Sequence, residues 1–209
     1  MKILGIIGSG DLGQQIAHYA LTDNHYNKVV FFDDFTNLKS INDCDILGTV
    51  ADVKQAYQHK LFDELIIAIG YKFLKVKKDL YVKFSKFIPF GKVIHSSAWI
   101  DETAIVEPGC VIYPRCMLDA KTIIKANTIL NLGCSISHDT TIGQHNFLSP
   151  CVVVAGFVVT DELCIIGINS TVIDNLTICA QTQIGGGAVV IKSIKKNGLY
   201  VGNPAKFKR

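Results

Sequence analysis

In the stretch SISHDTTIG a histidine, His138, stands next to an aspartate, Asp139. An imidazole titrates near neutral pH, and a neighbouring carboxylate stabilises the imidazolium formed when the ring takes a proton, so the pair has the composition of a general base. It has equally the composition of an exposed polar turn, and only its placement separates the two. Near the N-terminus a second group of residues suits anions. Gly8-Ser9-Gly10-Asp11-Leu12-Gly13 closes an apolar run and opens QQIAHYAL, a strand-to-helix turn whose amides fit phosphate oxygens. Asp33 follows Gly13 by 20 residues, beside Asp34 at the end of VVFFDD, where a carboxylate can hold a ribose hydroxyl. Gly70, Lys72 and Lys75 follow a third apolar run, LIIAIG, at the strand end where such sheets bind ligands.

Two kinds of element must carry these residues. From Ile94 to Val190 every sixth residue is aliphatic, with Thr160 the one exception. Four residues after these positions the side chain is usually small, and Cys110, Cys116, Cys134 and Cys164 fall there as compact hydrophobes, while Asn146, Val152, Val158, Leu176 and Ile194 depart from the rule. A period of six matches neither a helix nor a bare strand; it fits short strands joined by tight turns and wound as a solenoid whose inward residues stack. The pattern resembles the hexapeptide repeat of the left-handed parallel β-helix acyltransferases, in which three hexads make one triangular coil and residues 18 apart lie one above the other. On that resemblance the chain makes a little under six coils, with no loop pushed out. Gly156 then sits one coil above His138 at the same corner, with an N–H clear of side chains that can donate to the oxyanion of an acyl transfer.

Residues 1–92 read as a Rossmann-like parallel α/β sheet and residues 93–209 as the β-helix. A nicotinamide-dependent oxidoreductase is disfavoured, because the front part is half the usual dinucleotide domain and a β-helix is an odd partner for hydride transfer. Of the 209 residues 49% are hydrophobic and 19% charged, as in an ordinary globular core, and a net charge of +3 is too small to imply nucleic acid. The opening MKILGIIGSG is far short of a signal peptide or a membrane span, so a cytoplasmic location and no membrane partner are expected. Seven cysteines without a Cys-x-x-Cys pair argue against a disulfide framework and against a metal site.

With both parts placed, the chain resembles the sugar-nucleotide N-acetyltransferases of the hexapeptide-repeat superfamily. The motifs that carry the likeness are GSGDLG, FFDD, IGYKFLK, SHDTTIG, VVVAGF, GINSTV, IGGGAVV and VGNPAK, in that order along essentially the whole chain. The resemblance implies transfer of acetyl from acetyl-CoA to the 4-amino group of a dTDP-, GDP- or UDP-linked 4-amino-4,6-dideoxyhexose, for glycan or O-antigen synthesis, with no metal. It implies His138 as general base, Asp139 as its support and Gly156 as oxyanion donor. Acetyl-CoA would follow the β-helix past Gly167, Gly186, Ala188 and Lys192 to Asn203 and Pro204. The sugar nucleotide would meet Gly8, Gly10, Asp11, Gly13, Asp33, Asp34, Gly70, Lys72 and Lys75. A homotrimer with active sites between subunits follows from the same likeness, and with it an inactive monomer. Many relatives carry a second histidine nine residues after the first; here that position is Phe147, with His145 either a partial substitute or a surface residue. The alternatives are a sialic-acid-type O-acetyltransferase of the same layout and a β-helix that serves only as a binding scaffold.

Overall fold

The computed structural model describes residues 2–209, and the chain divides into two compact units, Met1–Val93 and Ile94–Arg209. In the first, β1 (Ile3–Ile7), β2 (Lys28–Phe32), β4 (Cys44–Gly48) and β5 (Glu64–Ile67) run parallel, with α1 (Asp11–Thr22), α2 (Val53–Gln58) and α3 (Leu74–Phe84) between and after them. ILGII, KVVFF and ELII are continuous apolar runs because these strands are covered on both faces. Ile7, Val30, Phe32, Phe62, Leu65, Ile67 and Phe84 form their core, with Phe32 and Phe62 packed edge to face at 5.5 Å between centroids.

The sheet is not wholly parallel. A two-residue edge strand, β3 (Ser40–Ile41), pairs antiparallel with β4, so the strand order is β3-β4-β2-β1-β5. Asn42 and Asp43 make the hairpin turn with φ of 46° and 60°, the left-handed pair that a two-residue hairpin needs. A polar dipeptide between SI and CDILG was the available signal.

The second unit is the solenoid. Among the described residues seventeen two-residue strands, from β6 (Val93–Ile94) to β22 (Val189–Val190), form three parallel stacks, and the chain returns to each after 18 residues, as in Met117↔Ser135, Ile129↔Phe147 and Thr141↔Val159. The fold is a left-handed parallel β-helix. β23 (Leu199–Val201) and β24 (Lys206–Phe207) extend one stack, the last strand antiparallel. The aliphatic ladder points inward and is buried from Ile112 onward, whereas Ile94, Ile100 and Val106 of the first coil, with no coil beneath, stay partly exposed. No helix among the described residues is long and apolar enough to cross a membrane.

Each corner turns on one left-handed residue, every sixth position from Gly109 to Gly187, with φ between 53° and 80°. The small positions prove to be donors as well as spacers. Cys110, Cys116, Cys134 and Cys164, each 0% exposed, point their thiols at the carbonyl 15 residues ahead at 3.1–3.3 Å, and the Thr128 and Thr140 hydroxyls do the same at 2.8 and 2.9 Å. The two polar departures from the repeat, Thr160 on the ladder and Asn146 at a small position, answer each other: Asn146 Nδ2 donates to Thr160 Oγ1 at 2.7 Å and to Asp161 O at 3.0 Å, while Asn146 Oδ1 accepts from Cys164 N at 2.7 Å. A polar residue on the aliphatic ladder is tolerated because its partner sits beside it.

Candidate active site

β13 (Ser135–Ile136) and β14 (Thr141–Ile142) are joined by the corner that holds His138 and Asp139. Asp139 is the left-handed residue, φ 56°, a conformation that aspartate tolerates better than most side chains, so the turn by itself has a use for it. Its neighbour His138 projects half-exposed, with Nδ1 3.1 Å from Asp139 Oδ2. A carboxylate can only accept, so the contact places a hydrogen on Nδ1, and in the neutral ring the lone pair is then on Nε2. On the other side of Asp139, Lys121 Nζ lies 3.9 Å from Oδ1.

One coil above, between β16 (Val153–Val154) and β17 (Val159–Thr160), the corner residues are Gly156 and Phe157. A Cβ on Gly156 would fall 2.7 Å from His138 Cε1 and 2.9 Å from Nε2, so only glycine leaves room for the imidazole. The Gly156 N–H has no partner among the described residues, while its carbonyl accepts from Asn175 N at 3.0 Å. Phe157 packs edge to face on the imidazole, centroids 5.2 Å apart and planes at 85°. Sequence reasoning missed Phe157; its signal was a position 19 residues beyond His138, next to the stacked glycine. His145 is no surface residue: it is 1% exposed, with Nδ1 2.9 Å from Asn127 Nδ2. Phe147 is buried as well.

In the first unit the glycine turn is tied down by Asp33. Asp33 Oδ2 accepts from Ser9 N and Ser9 Oγ, each at 2.7 Å, and Oδ1 accepts from Phe35 N at 2.8 Å. Partial burial alone pushes this carboxyl upward, but the amides of Ser9 and Phe35 and the Ser9 hydroxyl together outweigh it and hold the group below its ordinary value. The carboxylate expected to meet a ribose thus shapes the loop. Asp34 Oδ1 accepts from Val50 N. Gly8, Asp33, Asp34, Phe35, Gly70 and Phe73 line a largely apolar cleft of about 520 Å³. Gly13 packs so tightly that a Cβ would meet Gly8 O at 2.0 Å, whereas Gly10 and Gly70 have open space before them. Asp11 stands in the first turn of α1, where it favours the helix dipole and opposes an incoming phosphate. Lys72 and Lys75 are exposed and lie outside the cleft lining.

In the last coils the amides of Gly167 and Ala188 are used within the solenoid, donating to Ile184 O at 2.8 Å and to Gly185 O at 3.2 Å, so neither has an N–H to spare. Within Gly185-Gly186-Gly187 the middle amide is the one without a partner among the described residues. Lys192, Pro204 and Lys206 line a cleft of about 260 Å³, and Asn203 precedes it on an exposed turn.

Residues 3–83 match the PglD N-terminal domain family. The UDP-3-O-acylglucosamine N-acyltransferase of Bordetella avium (strain 197N) is 40% identical over 67 residues, 32% of this chain, and the match spans only 19% of that protein's length. Among solved structures, the acetyltransferase domain of PglB from Neisseria gonorrhoeae FA1090 superposes with a TM-score of 0.91 at 24% identity, covering 99% of both chains, and the same domain is known in complex with acetyl coenzyme A. PerB from Caulobacter crescentus, solved with CoA and GDP-perosamine, gives a TM-score of 0.90 at 23% identity over 99% of this chain and 97% of that one. Identities this low speak for the fold, and they do so from end to end. The chain accordingly joins a PglD N-terminal domain match over residues 3–83 to a left-handed β-helix, and it shares that whole fold with the two solved acetyltransferases.

Proposed function

We propose that the chain is an acetyl-CoA-dependent N-acetyltransferase acting on the 4-amino group of a nucleotide-linked 4-amino-4,6-dideoxyhexose, with His138 as general base. The observation that carries this reading is one corner of the solenoid: an imidazole with Nδ1 on Asp139 and Nε2 without a partner among the described residues, standing over a glycine whose amide is likewise unengaged. Nε2 takes the proton as the amine attacks the thioester carbonyl, and Asp139 stabilises the imidazolium. The Gly156 N–H meets the oxyanion, and the imidazolium returns the proton to the CoA sulfur as the C–S bond breaks and the thiol departs. Amine and thioester react directly in one bound complex, so neither a covalent enzyme intermediate nor a metal is called for.

The fold supports the choice of substrates, since its solved examples hold acetyl coenzyme A in one case and CoA with GDP-perosamine in another. The apolar cleft of the first unit suits a nucleobase, and the cleft between Lys192 and Lys206 suits a CoA phosphate. A homotrimer is part of the proposal. Trp99 and Met117, adjacent outward residues of one strand stack, are about half-exposed, with Val153 beyond Ser135 in the same stack, and a second copy of the chain would cover this surface.

The test is release of CoA thiol from acetyl-CoA with dTDP-, UDP- and GDP-linked 4-amino-4,6-dideoxyhexoses offered in parallel. Turnover with one of them, falling by ~10²–10⁴ in His138→Ala without loss of the folded state, is the expected result. A variant that keeps most of its activity removes His138 from the reaction. Turnover only with a hydroxyl acceptor of the sialic-acid type would make the enzyme an O-acetyltransferase.

A further inference from the structure

We propose that Phe157 is a positioning residue for His138, an inference that rests on His138 being the general base. Three groups bound the imidazole: Asp139 holds Nδ1, Gly156 leaves the space in which the ring stands, and Phe157 closes the remaining side with a perpendicular ring at 5.2 Å. Without Phe157 a half-exposed histidine is free to change rotamer, and its bond to Asp139 is one of several it can make.

Phe157 is placed there against the preferences of its own backbone. It is the left-handed residue of its corner, φ 59°, where a bulky side chain is disfavoured and asparagine or glycine is at ease. The residues one coil below and above it in the same column, Asp139 and Asn175, are of the tolerant kind, with φ of 56° and 58°. Nor does burial account for the ring, which is 52% exposed. The corner imposes this conformation on whatever residue stands there, Leu163 and Lys121 included at φ 59°, so what sets Phe157 apart is its edge-to-face contact with the imidazole.

The inference separates activity from stability. Phe157→Asn relieves the backbone and should leave the thermal midpoint equal to or above that of the wild type, while kcat falls severalfold to about tenfold, the scale of one aromatic pair, and KM for acetyl-CoA holds. Phe157→Tyr keeps the ring and should keep kcat; Phe157→Leu keeps bulk alone and should not. A second readout needs no turnover: the His138 ring protons, assigned by their loss in His138→Ala, should carry a ring-current shift that Phe157→Asn abolishes. Wild-type kcat in Phe157→Asn, a loss of kcat that tracks a lowered midpoint, or unchanged ring protons each overturn the inference. If the wild type itself turns over no amino sugar, the reading of the reaction fails, and the role of Phe157 is decided on the ring protons.

Discussion

Gly156 is pressed from two directions, since its amide has no partner among the described residues and its missing side chain is the space His138 occupies. Gly156→Ala should therefore cost about 10²-fold or more in kcat, comparable to losing an oxyanion donor, by displacing the imidazole, with little change in urea stability; a fall in stability with kcat intact would assign the glycine to the fold. Asp33 acts at its own scale on pH. Its folded carboxyl lies below the ordinary value of 3.8, so its stabilising bonds are fully present above that value and are lost as pH falls through the lower folded one. Asp33→Asn should lower the urea midpoint at about pH 7 and approach the wild type as pH falls from 3.8 through the folded value; a difference that does not vary with pH would point to packing instead. His138, Asp139 and Gly156 were legible because 18-residue spacing and residue type together describe a corner. Phe157 was not, because nothing in propensity predicts an aromatic at a left-handed position. The grip of Asp33 on Ser9 was hidden for another reason, since it exists only once the loop has closed.

At the scale of elements, a period of six was enough to write the β-helix down strand by strand, because each hexad repeats one local decision. The hydrogen bonds behind the small positions were not legible. Cysteine, threonine and asparagine look unrelated as a set until their shared acceptor, the carbonyl 15 residues on, is seen. The Asn146–Thr160 pair makes this testable. Thr160→Val restores the aliphatic ladder yet strips a partner from the buried Asn146 amide and from the Gly143 N–H, and should cost about 1–3 kcal/mol in urea unfolding. Asn146→Thr with Thr160→Val reproduces the arrangement seen at Thr140 and should recover the part of the loss that belongs to Asn146, the Gly143 N–H still lacking the hydroxyl; a double variant no better than the single would show that the two sites do not compensate. In the front unit the short antiparallel β3 escaped notice because two residues give no periodicity, and only the Asn42-Asp43 turn announced it.

For the whole molecule, the proposed assembly is checked by light scattering, with a particle of three times the chain mass expected, and with Trp99→Glu or Met117→Glu shifting it towards one. A wild-type particle of one chain mass with full turnover would end the requirement for neighbouring subunits. The division into a unit with an apolar cleft and a unit with the His138 corner falls at Val93–Ile94, close to where the period of the sequence changes. The 18-residue register has one more consequence, for how such a chain can grow. A single inserted residue in the solenoid would exchange wall-facing and outward side chains for every residue after it, whereas a block of eighteen adds a complete lap and leaves each facing unchanged. His138 and Gly156 lie one lap apart, so laps can be gained or lost beyond them at no expense to their meeting. A lap added between them would seat a different residue over the histidine, so an insertion that stays within the wall keeps their meeting only as a whole lap outside residues 138–156.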